Sequence, residues 1–161
     1  MSLQFRSYRP EDLPLMRQIW NQIIDDGMAF PGVEELSFEE FANYMEEHTF
    51  VTVMLKDQVT AGYYAVKPNN IGRCSHTAKA SYCMNPDFRG QGLSQALVEQ
   101  SLQEAKAAGF HGMQFNAVVA NNYAALRTYT HCGFIIVGTI PQGFQIKDGT
   151  YLNMYVMHKA L

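Results

Sequence analysis

Residues 84 to 97, Met-Asn-Pro-Asp-Phe-Arg-Gly-Gln-Gly-Leu-Ser-Gln-Ala-Leu, constrain this chain more than any other stretch. They read as the end of a strand, a short loop with two glycines, and the first turns of a long amphipathic helix. Gly90 and Gly92 carry no Cβ, so the backbone there can turn tightly and let a ligand come close. The helix behind them aims unpaired N–H groups and the positive end of its dipole at the loop. Such a junction is a cradle for an anion, and phosphate is its usual occupant.

Several phosphate-binding loops can be tested against this stretch. A nucleotide-binding loop of the G-x-x-x-x-G-K type needs a lysine after the glycines, and none follows. A dinucleotide fingerprint, G-x-G-x-x-G, fails because Gln95 stands where the third glycine belongs. The stretch Gly109-Phe110-His111-Gly112-Met113 also lacks the acid that would hold a ribose. The pattern Arg/Gln-x-x-Gly-x-Gly/Ala fits Arg89-Gly90-Gln91-Gly92-Leu93-Ser94 except for serine at its last position, still a small residue. This loop resembles the acyl-CoA-binding motif of the GCN5-related N-acetyltransferases.

Composition sets the frame around that loop. The 161 residues suit one domain, 1–161, with a substantial core. With 47% hydrophobic and 17% charged residues, a disordered chain is excluded. A net charge of −3 gives no reason to expect a nucleic-acid partner. No apolar run suggests a membrane span, and the start, Met-Ser-Leu-Gln-Phe-Arg, does not look like a signal peptide. Cys74, Cys83 and Cys132 are odd in number and lack C-x-x-C spacing. They point to reduced thiols in a cytoplasmic protein, with no zinc site.

Taken in order, residues 3–8 alternate as a strand, and Pro10-Glu-Asp opens a helix carrying Leu13, Met16, Trp20, Ile23 and Ile24 on one face. The loop Asp25–Leu36 holds Met28, Phe30 and Val33, apolar enough to line a pocket or tuck against the body. Ser37 and Glu40 form a capping box for a second helix. Strands follow at 50–56 and 59–67, joined by Asp57-Gln58, and at 74–84. The central helix spans about 92–108 and a strand 113–119. A short helix at 122–131 and strands at 134–140 and 150–159 complete the chain. The order β-α-α-β-β-β-α-β-α-β-β predicts an α/β fold: a mixed sheet of about seven strands with helices on both faces.

A second motif lies in the short helix. Asn122, Ala125, Tyr129, Gly133 and Phe134 fit N-x-x-A-x-x-x-Y-x-x-x-G-F, which resembles the other half of the same acetyltransferase pattern. The two halves stand one strand apart, as in that family. The resemblance implies the single-domain acyl-CoA N-acyltransferase fold and acetyl-CoA as co-substrate, with no metal. It implies that Met84 begins the pairing with the pantetheine arm in a gap between strands. The N–H groups of Arg89, Gly90, Gln91, Gly92, Leu93 and Ser94 would hold the pyrophosphate, and Asn122 would bond the cofactor arm. Tyr129 would contact the cofactor and protonate the departing thiolate. Plain structural uses stay open: Asn122 as a helix cap, Tyr129 packed under the sheet, Cys83 and Cys132 in the core.

The general base is unassigned. Relatives often place a Glu on the strand before the glycine loop, but Ser75-His-Thr-Ala-Lys-Ala-Ser-Tyr-Cys-Met84 has no carboxylate. His76, Glu34 and Glu35 are the candidates, and for an amine of low pKa water or backbone carbonyls are the alternative to any base residue. A narrower resemblance, carried by residues 66–76, Phe115-Asn116 and the late Asp-Gly-Thr-Tyr, is to proline-analogue N-acetyltransferases. It implies a small, amino-acid-like amine as acceptor, met by Phe30, Arg73, His76 and Asn116, with Arg73 as a carboxylate partner. Lys79 departs from that subgroup, where Asn tends to stand, and Tyr129 stands where Trp is frequent. Protein or peptide acetylation is the competing enzyme reading, and a non-catalytic acyl-CoA sensor the competing binding one. The resemblance also raises the expectation of a homodimer through the C-terminal strands.

Overall fold

A computed structural model of the protein describes residues 2–161. Strands β1 (Leu3–Ser7), β2 (Phe50–Lys56), β3 (Val59–Pro68), β4 (Thr77–Met84), β5 (Gly112–Val119), β6 (Ile135–Gln145) and β7 (Tyr151–Ala160) form one sheet. Its order is β1-β2-β3-β4-β5-β7-β6. Neighbours run antiparallel except β4 and β5, which are parallel and therefore need a crossover. The crossover is α3 (Ser94–Ala107). The other helices are α1 (Leu13–Asp26), α2 (Phe38–Glu46) and α4 (Tyr123–His131).

Both faces of the sheet are covered, and the central strands show why. On β3, Tyr63 and Ala65 pack with Met16, Ile19, Trp20 and Phe41 of α1 and α2. The alternate residues Tyr64 and Val66 pack with Leu97, Val98 and Leu102 of α3. A strand buried on both sides must be apolar throughout, and β3 is buried from Thr60 to Val66. The Ser37–Glu40 box caps α2 as expected, each side chain bonding the other's backbone N–H, at 3.2 and 2.8 Å. Asp57 and Gln58, at φ 50° and 70°, turn β2 into β3.

Three element boundaries differ from the sequence reading. The fourth strand starts at Thr77 rather than residue 74, because Gly72–Cys74 curl into a 3₁₀ turn that Ser75 closes by donating to the Gly72 carbonyl at 2.7 Å. The central helix starts at Ser94, since Gly92 at φ +72° cannot belong to a right-handed helix. Strand β6 runs on through Pro141 to Gln145 with a register shift between Ile140 and Phe144. It lies at the sheet edge, where a residue without an N–H is tolerated.

Candidate active site

The site begins where β4 and β5 part. They pair only at Thr77 with Gly112 and Ala78 with Met113, although both strands continue. Beyond Ala78 the two strands diverge, and a register shift in β5 between Phe115 and Val118 marks the same level on its other side. A cavity of ≈ 360 Å³ fills the gap. Residues 79–82 and Met84 of β4, 114–118 of β5, the α4 cap Asn122, and Ala125, Thr128 and Tyr129 of α4 line it. Backbone N–H and C=O groups facing such a gap need partners.

At the outer end of the gap sits the glycine loop. Gly90 and Gly92 have φ +76° and +72°, and a Cβ built on either would meet nothing within 4 Å, so the loop faces open space. The amides from Gly90 to Ser94 find no acceptor among the described residues. Leu93 caps α3 without a side-chain bond, leaving the helix N-terminus free to receive an anion. Arg89 is half-exposed, 3.8 Å from Asp26, and Gln91 accepts from Lys56 Nζ. Leu93 is buried and anchors the turn, whereas Ser94 is exposed and lines the gap.

Asn85 holds this loop on the sheet, a part the sequence reading did not give it. It is buried; its Nδ2 donates to the Thr60 carbonyl at 2.9 Å, and its Oδ1 accepts from the Asp87 amide at 3.1 Å. The only signal in the sequence was an Asn directly before Pro86, a common turn opener.

Tyr129 stands at the inner end. Its ring packs on Phe115 at 4.5 Å and on Phe134 at 5.8 Å. The neighbouring phenols are used structurally: Tyr64 donates to Glu104 at 2.5 Å, and the Tyr82 hydroxyl lies 2.8 Å from Ser101 Oγ. Among the described residues the Tyr129 hydroxyl bonds to none. Burial raises its pKa above the ordinary phenol value. Asn122 also lines the gap and caps α4, its Oδ1 accepting from the Ala125 amide at 3.3 Å.

A second cavity of ≈ 660 Å³ opens on the α1–α2 side of β4. Phe30, Pro31, Lys79, Ala80 and Ser81 line both cavities, so they form the doorway between them. Trp20, Tyr44, His48 and Lys67 line the second one, with Trp20 against Phe30 at 4.7 Å and against Tyr44 at 5.5 Å. His48 Nδ1 donates to the Tyr44 carbonyl at 2.8 Å, and burial lowers its pKa. Trp20, Tyr44, Lys67 and His48 had no place in the sequence reading of the site.

The residues expected to meet the acceptor divide. Phe30 is in the doorway, and Asn116 lines the gap while donating to Asn69 Oδ1 at 2.6 Å. Arg73 and His76 line neither cavity: Arg73 is exposed on the 3₁₀ turn, and His76 is exposed beside His111, at 5.7 Å. Glu34 lines the second cavity, exposed, and Glu35 lines neither. Cys83 and Cys132 are core residues, and burial pushes the Cys83 thiol up to about 12, which leaves it inert. No group of three or more metal-ligating side chains occurs among the described residues. Nor is any described helix long and apolar enough to cross a membrane.

A model of the acetyltransferase (GNAT) family matches residues 16–134, which takes in the doorway, the glycine loop and Tyr129. The chain belongs to that family. It is therefore an acyltransferase, and the seven-stranded sheet is the GNAT fold. A GCN5-related N-acetyltransferase from Kribbella flavida superposes with a TM-score of 0.92 at 29% identity, over 99% of this chain and 98% of that one. The L-amino acid N-acyltransferase MnaT of Escherichia coli strain K12 is 25% identical over 100% of this chain and 94% of its own length. N-acetyltransferase aca1 of Schizosaccharomyces pombe is 30% identical over 59% of this chain, and the match spans 46% of that longer protein.

Proposed function

We propose that this GNAT protein transfers acetyl from acetyl-CoA directly to the amine of a small, amino-acid-like metabolite. The observation that carries the reading is the alignment of three things along one gap: free amides at the glycine loop, diverging strands, and an unpartnered phenol at the inner end. Acetyl-CoA would supply an activated thioester there. The amides of residues 90–94 fit its pyrophosphate, whereas the Arg89 amide, expected to join them, is taken by the Pro86 carbonyl at 3.2 Å; the β4 backbone from Lys79 to Met84 fits an amide-rich arm. Asn122 lies beside that path.

The acceptor would enter from the second cavity through the doorway. Its nitrogen lone pair attacks the thioester carbonyl, the carbon–sulfur bond breaks, and Tyr129 gives its proton to the departing thiolate. A phenol carries its proton at neutral pH, as that role requires. The amine's own proton passes to solvent water, from which the Tyr129 phenolate is reprotonated. A cavity walled by Trp20, Phe30 and Tyr44 favours a compact acceptor over an extended peptide. Similarity to MnaT, an L-amino acid N-acyltransferase, supports the same class.

Thiol release from acetyl-CoA, measured across amino acids, proline analogues, polyamines and short peptides with product mass spectrometry, tests this. Turnover on a small amine is expected, with Tyr129→Phe lowering kcat about 100-fold while acetyl-CoA still binds. Failure to bind acetyl-CoA would overturn the reading of the loop. Acetylation of peptides alone would overturn the acceptor class.

A further inference from the structure

Lys67 of β3 and Lys79 of β4 are direct partners in the antiparallel ladder, so both side chains leave the sheet on the same face. That face carries α1, α2 and the second cavity, which both lysines line. Two like charges placed opposite each other work against the sheet. Neither ammonium has an ion-pair partner among the described residues. Lys67 Nζ is held over the Tyr44 ring, 4.9 Å from its centroid. Lys79 lines both cavities, and burial together with the Lys67 charge lowers its pKa.

The nearby carboxylates do not pair with these lysines. Glu34, Glu40 and Glu47 line the cavity. Glu40 is committed to the Ser37 amide at 2.8 Å, while Glu34 and Glu47 are exposed and pair with neither lysine. The pocket thus presents two cations without an ion-pair partner beside an aromatic wall, at the entrance to the thioester gap.

We propose that Lys67 and Lys79 form a carboxylate-binding site for the acceptor, whose substrate class is therefore an α-amino or α-imino acid with an apolar side chain. This deepens the proposed function and rests on it. A carboxylate bound at Lys79 stands at the doorway, and the amine on the adjacent carbon is then the group that reaches into the gap. The side chain lies along Trp20, Phe30 and Tyr44. The anion removes the repulsion between the lysines, so binding relieves a cost built into the empty pocket. This gives the carboxylate-recognising role to the lysine pair rather than to Arg73.

The test compares acceptors matched except for the carboxylate: leucine with isoamylamine, phenylalanine with phenethylamine, proline with pyrrolidine. Each is assayed with wild type, Lys67→Gln, Lys79→Gln and Lys79→Arg. In the wild type the acid should exceed its carboxylate-free partner at least tenfold in kcat/KM. Lys79→Gln should bring that ratio towards one, mainly through acceptor KM, and Lys79→Arg should restore it. Acetyl-CoA affinity in Lys67→Gln should be unchanged. Equal use of both members of each pair by the wild type, or a ratio kept in both Gln variants, would overturn the proposal while leaving acetyl transfer intact. Calorimetric titration of the same compounds into CoA-loaded protein reads the site without turnover. Binding of the acids that both Gln variants lose supports it even if acetylation fails, and no preference for the acids overturns it.

Discussion

Asn85 offers a sharp test of how the glycine loop is held. Replacing it with Asp keeps the shape and the acceptor for the Asp87 amide, but sets an oxygen against the Thr60 carbonyl, where Nδ2 now donates at 2.9 Å. The site is only 6% exposed. Two carbonyl-type oxygens repel there unless the new carboxyl takes a proton, which restores the hydrogen bond. Protonating a carboxyl of ordinary pKa near 3.9 at pH 7 costs about 1.4 kcal/mol per pH unit, so at most about 4 kcal/mol. The folded pKa of this Asp would be raised, so the protein keeps most stability at low pH and loses it as pH rises towards that pKa. Relative to wild type at each pH, the deficit of Asn85→Asp should therefore shrink by about 2–3 kcal/mol between pH 7 and pH 5. Asn85→Ala, which strands the Thr60 carbonyl and the Asp87 amide, should cost about 2–3 kcal/mol at both pH values. Urea unfolding followed by circular dichroism measures all three proteins. An Asn85→Asp deficit that is small, or the same at pH 5 and pH 7, would refute the account of this bond.

Other perturbations read other parts. Gly92→Ala at φ +72° meets no atom within 4 Å, so the cost is backbone strain of about 1–2 kcal/mol; acetyl-CoA KM should rise while acceptor KM changes little. Asp12 accepts from both Arg6 nitrogens at 2.7 and 2.9 Å and from the Arg9 amide at 2.7 Å, and these bonds lower its pKa. Its stabilisation is present above the ordinary Asp pKa and lost as pH falls through the depressed one. Asp12→Asn should then cost about 2–3 kcal/mol at pH 7 and progressively less in denaturation series below pH 4. A thiol reagent at neutral pH should label Cys74 quickly in the native protein and reach Cys83 and Cys132 only after unfolding, because those two are buried; rapid labelling of all three by intact-mass analysis would contradict the packing.

Local features of this fold were legible, and long-range ones were not. The Ser37–Glu40 box, the Asp57-Gln58 turn and the two motifs around Gly90 and Tyr129 are written in residues close together in sequence. The doorway is built from Phe30, Lys79 and Ser81, whose proximity exists only after α1 and α2 close over β4. His76 looked like a strand residue until Gly72 at φ +55° opened a turn at 72–74 that delays the strand to Thr77. Lys79 was visible as a departure from a pattern, but its meaning depends on Lys67 lying opposite in the ladder. The Pro141 stretch seemed to end a strand because nothing local says which strand is at an edge.

The parting of β4 and β5 has a consequence for how freely this sequence can vary. Wherever main-chain groups do the recognising, side chains there are released from the task, because every residue offers the same N–H and C=O. On the proposed reading, identity along the gap is demanded mainly where a conformation, a proton or a charge is needed: Gly90 and Gly92, Tyr129, Lys79. Proteins built on this scaffold can thus drift far apart in sequence while holding the same donor. On the same reading, a change of acceptor would be written at the doorway, at Lys79, rather than at the positions that serve the donor.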